Sequence, residues 1–138
     1  MQHAARILLL TLCMVFGLAA SVLATPESDF REAMTAARAG NMDKAIAGFT
    51  KVIEAGTSIA ASDLANAYNL RGVCHEAKKD LQQALADYTK AIETDSHSAE
   101  ALGNRAMLYA KMGDKEKAKA DAVAARRIDY RVKIPDVN

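Results

Sequence analysis

Three stretches of this chain can be laid over one another with an alanine at the same place in each. They are GNMDKAIAGFTKVIEAG from Gly40, KKDLQQALADYTKAIETD from Lys78 and GDKEKAKADAVAARRID from Gly113, and the shared alanines are Ala45, Ala84 and Ala118. Ala84 and Ala118 are 34 residues apart, whereas Ala45 and Ala84 are 39 apart, so the first spacing holds five extra residues. Self-similarity at such a period means a stack of small supersecondary units, each unable to bury its apolar face alone. The apolar residues between Lys78 and Asp95 follow a helical face, yet Ala84 and Ala91 stand where a core would take something larger. Helices approach to about 8–10 Å only where the crossing residues are small. Ala84 is therefore small because a neighbouring helix lies against it, and the composition agrees with helices throughout: rich in Ala, Lys, Glu and Asp, with two Pro and no Trp.

The pattern resembles the tetratricopeptide repeat, whose unit is a pair of antiparallel helices, A and B, and the resemblance runs from about Pro26 to Asp129. Counting the second unit from Ala65, Tyr68, Gly72, Ala84, Tyr88 and Ala91 match its aromatic and small positions. Leu102, Ala106, Tyr109, Ala118 and Ala125 do so in the third unit, and Ala33, Ala45 and Phe49 in the first. His75 and Ala122 depart from aromatic positions, and the proline that usually closes the unit is replaced by Thr57, Ser96 and Tyr130. The resemblance implies an all-α fold: helix-turn-helix units stacked as a short right-handed superhelix, an α-solenoid. The units are expected at about 26–59, 65–98 and 99–132 within a domain of residues 25–130, followed by a short tail, 131–138. Gly40-Asn41 and Gly113-Asp114 are expected to stop helices, Asp63 to cap the first helix of the second unit, and Ser96 or Ser98 that of the third. Pro135 stops the tail short of a further helix, which is expected to leave the last helix uncovered.

Residues 1–24 are expected to be a cleaved signal peptide, with an uncleaved anchor over the 18 residues Ile7 to Ala24 as the alternative: Arg6 precedes the apolar run ILLLTLCMVFGLAA, and Val22 and Ala24 are small residues suited to cleavage after Ala24. The mature chain is then periplasmic or secreted. Removal of Arg6 lowers Lys+Arg from 18 to 17, level with the 17 Asp+Glu, so nothing in the overall charge favours nucleic acid or an anionic membrane. Cys74 is left alone and reads as a small buried hydrophobe.

Catalytic signatures are missing from the sequence: it has no G-x-S-x-G, no phosphate loop, and no Cys-His pair at a plausible spacing. His75 and His97 have no partners at metal-binding spacing, so neither a metal nor another cofactor is expected, nor is enzymatic activity. Arg71 and Arg105 recur in one register and Asp87 and Asp121 in another, which points to ion pairs joining helix A to helix B; an anion site at the two arginines is the alternative. The family resemblance places a ligand groove on the A helices. Its positions here include Phe30, Met34, Asn66, Asn69, Val73, Glu76, Met107 and Lys111. They describe an apolar strip edged by charge, with Asn66 and Asn69 as donors to a peptide backbone, although Phe30 and Met34 equally suit the interior of the first unit. Family members that clamp the carboxylate tails of heat-shock chaperones use Lys, Asn and Arg at places occupied here by Phe30, Met34, Leu70, Glu100 and Asn104. The clamp is absent, and Glu100 repels a carboxylate. A protein or peptide partner is the expectation, with a self-associating assembly protein using Val123 and Ile128 as the alternative.

Overall fold

The computed structural model describes residues 25–136, and the expected signal segment lies outside the described residues. Six α-helices follow one another: α1 Pro26–Arg38, α2 Met42–Glu54, α3 Ala61–Ala77, α4 Leu81–Thr94, α5 Ala99–Lys111 and α6 Lys115–Ile128, with a 3₁₀ turn at Gly56–Ser58. They pack as the antiparallel pairs α1/α2, α3/α4 and α5/α6, and each second helix packs on the first helix of the next pair. This is an all-α helical repeat solenoid.

Local chemistry explains the boundaries. Thr25 caps α1 in a reciprocal arrangement with Ser28, Asn41 accepts from the Lys44 N–H, Ser98 from Ala101 and Asp114 from Lys117. Every A helix ends in one left-handed residue: Gly40 (φ 79°), Lys79 (φ 71°) and Gly113 (φ 84°). The two N–H groups that follow the last turn then close back onto it; Asn41, Asp80 and Asp114 donate to the carbonyls of Ala36, His75 and Tyr109 at 2.9 Å. Asp63 does not cap α3. The helix starts earlier, behind Ala60, which offers no side-chain cap, and Asp63 falls in its first turn. Four of the five extra residues, 61–64, thus lengthen α3 at its start (17 residues against 13 in α5), and Asp63 stands there in the first turn, well placed against the helix dipole.

The core is built of alanine with a few large anchors. Phe49, Tyr88 and Leu108 are fully buried among Ala33, Ala45, Ala65, Ala84, Ala91, Ala101, Ala106, Ala118 and Ala125. At Gly72 on α3, a Cβ would stand 2.8 Å from the Tyr88 ring and 3.3 Å from the Ala84 carbonyl, so α3 and α4 touch backbone to ring. Gly48 does the same for α1 and α2, where a Cβ would meet that of Ala33 at 2.7 Å. The small residues thus set the interaxial distance, and the aromatics fill the space beside the crossing.

The last unit is less bare than its sequence suggests. Segment 131–136 returns across α5, where the Lys133 carbonyl lies 2.7 Å from the place of a Gly103 Cβ. A side chain at 103 would push it off. The outer strip of α6 stays uncovered, with Val123 44% and Ile128 40% exposed.

Candidate functional site

Two arginine clusters orient the A helices. Arg71 Nε donates to Asp87 Oδ2 at 2.9 Å and Nη2 to Oδ1 at 2.7 Å; Arg105 repeats this on Asp121 at 2.7 and 2.9 Å. Asp87 and Asp121 are buried, and each is held by a guanidinium fork. The third contact of each arginine is one the sequence reading missed: Nη1 donates to Thr50 Oγ1 at 3.0 Å from Arg71, and to Thr89 Oγ1 at 3.2 Å from Arg105. These threonines belong to the preceding unit, so the cluster joins units as well as helices. The signal was present in the matching FTK and YTK, where a threonine follows the core aromatic. Asp87 and Asp121 raise the basicity of their arginines, and Glu54 and Glu93 add to it from the preceding unit. A ligand anion would meet a carboxylate at each fork, which removes the anion-site alternative.

The expected groove residues form two stretches. Between α1 and α3, Phe30, Glu27, Asp63 and exposed Asn66 line one concavity with Val52 and Ile59. Phe30 also meets Phe49 edge-on, 5.6 Å between centroids, and Met34 packs on the same core cluster; both are half-buried and contribute to the first unit's interior. Between α3 and α5, Val73, Glu76, Met107, Asn104 and Lys111 line a second concavity. Val73 is 42% exposed there, the barest apolar side chain among the expected groove residues.

Two expectations about this face change. Asn69 is 6% exposed, and its Oδ1 accepts from Asn104 Nδ2 at 2.9 Å, so it ties α3 to α5 and is withdrawn from solvent by burial. Of the two asparagines, only Asn66 stands open. Glu76 and Lys111 pair with each other across the same helices, and Glu76 also accepts from the Tyr88 hydroxyl at 2.9 Å. Burial and the Glu76 charge push the Tyr88 phenol well above its usual range, so it stays a donor. The groove therefore has a braced basic end at Lys111 and Lys79, and an acidic end at Glu27, Asp63 and Glu100.

His75 is half-buried, with Nδ1 3.7 Å from Asp80 and Nε2 3.9 Å from Asp87. Burial raises the Cys74 thiol above its usual range, which keeps it protonated and inert. Among the described residues, no group of three or more His, Cys, Asp or Glu is placed to hold a metal ion, and no helix is long and apolar enough to cross a membrane.

Known sequence families now bear on this architecture. Two models described as tetratricopeptide repeat match, one over residues 65–98 and one over 87–120, the second beginning within α4. The chain belongs to the tetratricopeptide repeat family. Within it, the chain is 32% identical over 92 residues to "Protein unc-45 homolog B" of Danio rerio; the match covers 67% of this chain and 10% of that protein, so the chain spans about a tenth of its relative. Among solved structures, it superposes on yeast Sti1, "TPR2B-domain:pHsp70-complex", with a TM-score of 0.69 at 22% identity, over 78% of this chain and 82% of the other. The "First TPR of Spaghetti (RPAP3) bound to HSP90 peptide SRMEEVD" gives 0.70 at 17% identity, over 77% and 82%. These similarities concern the repeat fold.

Proposed function

We propose that this tetratricopeptide repeat protein is a non-enzymatic interaction module that holds a peptide segment of a partner protein along the A helices. We place it in the periplasm or outside the cell, on the strength of the signal-like residues 1–24. The observation that carries the groove reading is exposed Val73 beside Met107 in one concavity between α3 and α5, an apolar floor left open on the A-helix face. The two solved repeat domains of the same fold, one in a pHsp70 complex and one bound to an HSP90 peptide, support the same mode. Their chaperone ligands do not transfer, because the clamp positions hold Phe30, Met34, Leu70, Glu100 and Asn104. The partner segment is apolar at its centre and makes its backbone contacts at Asn66 rather than Asn69.

Photo-crosslinkers at Val73 and at Met107, with exposed Gln83 on α4 as the control, test this reading. The expected result is one common adduct from both groove sites, absent from Gln83, and lost from the Val73 probe when Met107→Asp is added. Helicity should be unchanged by that substitution at a half-buried site. Equal labelling from Gln83, or labelling indifferent to Met107→Asp, would end the groove reading.

A further inference from the structure

The two ends of the solenoid carry residues that break the internal rule, and they break it in opposite senses. At each internal junction, the B helix of one unit offers Thr-x-x-Ile-Glu to an arginine on the next A helix. The first set is Thr50, Ile53 and Glu54 towards Arg71; the second is Thr89, Ile92 and Glu93 towards Arg105. Ile92 packs on the junction cluster of Ala65, Ala91 and Ala101. On α6, the same register reads Val123, Arg126 and Arg127, all exposed. On α1, the place of Arg71 and Arg105 is taken by Glu32, and that of Tyr68 and Leu102 by Asp29. Glutamate has become arginine on one face, and arginine glutamate on the other.

The side chains around these positions fit the same contact. Glu32 is not drawn inward as the arginines are, since Gly48 stands where Asp87 and Asp121 hold them in the other units. It pairs instead with Lys44 at 2.8 Å, both more than half exposed, a contact readily exchanged. Asp29, Glu32, Ala33, Ala47 and Gly48 line a shallow cleft on this face, with Lys44 and Lys51 along its α2 side. Its small floor suits an apolar knob. Val123 and Ile128 are such knobs on α6, flanked by Arg126 and Arg127, and segment 131–136 crosses α5 and leaves them uncovered.

We propose that a second copy of this chain docks head to tail, with α1 of one copy against α6 of the next and Glu32 of one facing Arg127 of the other. The internal junction is thereby continued between molecules with its charges exchanged. The exchange also gives specificity: Arg127 repels the arginine of an internal A helix and accepts only α1. Such a contact is heterologous and does not close on itself, so copies add in series.

Sedimentation of the mature chain, from Thr25 onward, tests it, with helicity checked for each variant. Mass is expected to climb with concentration at about 20 mM salt and to fall back towards monomer at about 0.5 M, where screening is short-ranged. Glu32→Arg and Arg127→Glu each place like charges together and are expected to weaken association on the order of tenfold. The two variants mixed, or combined in one chain, restore it, because either way arginine again faces glutamate. A wild-type chain that stays monomeric at low salt would overturn the proposal. So would association indifferent to the single substitutions, or a mixture that associates no better than its components.

Discussion

At the residue scale, this chain concentrates its polar chemistry in a few buried places. Asp87 is almost fully buried and has the Arg71 fork as its partner. Removing one member of such a pair leaves the other uncompensated, so Asp87→Asn is expected to cost about 3 kcal/mol in urea unfolding. Lys90→Ala, which breaks an exposed pair with Glu93, should cost under about 0.5 kcal/mol. Tyr88 makes a pH-dependent contribution. Its folded pKa is raised above the unfolded value, so native chains keep a proton that unfolded chains release. The stability involved is fully present below the unfolded pKa of about 10 and declines as pH rises above it. Urea midpoints should fall between about pH 9.5 and 11, and Tyr88→Phe should make that fall shallower. Cys74, raised by burial, adds a decline of the same sign that begins at lower pH.

At the element scale, the A helices share one stop signal but not one residue. Gly40 and Gly113 take the left-handed conformation freely, whereas Lys79 takes it at φ 71° with a Cβ in the way. Lys79→Gly is therefore expected to raise stability by about 1 kcal/mol, read as an increased urea midpoint at unchanged slope. The hydrogen bonds that enforce this turn, Asp80 to the His75 carbonyl and Lys79 to that of Glu76, are backbone contacts available to any residue. They explain why a lysine is tolerated there. The stops at Gly40 and Gly113 were legible from glycine itself; the one at Lys79 was legible only by its place in the repeat. Asp63 misled for a related reason. A carboxylate suits both a cap and a first turn, and the sequence carries no preference between them.

Over the whole molecule, each unit is stabilised by its own pair contact and by its neighbours. The middle unit, α3 and α4, is flanked on both sides and takes part in both inter-unit threonine contacts, through Arg71 and Thr89. Amide exchange is accordingly expected to be slowest in α3 and α4, with α1 and α2 opening sooner, since the first unit has Glu32 and Gly48 where the others place their ion pair. Peptide-resolved exchange at neutral pH checks the order, and equal protection across all six helices would mean that the units unfold together.

The repeat, its helical class, its crossing alanines and the arginine–aspartate registers could all be read from the chain alone, because each depends on spacing within one unit and on residue size. Who bonds whom between units could not. Asn69 looks like a groove donor until Asn104 is placed beside it, and Glu76 and Lys111 look like free charges until α3 and α5 are brought together. Gly103 looks like a gap in the groove until Lys133 is laid across it. In each case the deciding partner lies some 30 residues away, as 35 separate Asn69 from Asn104 and Glu76 from Lys111. A polar side chain's role is set by the first partner to reach it, and only the stacked solenoid determines which partner that is.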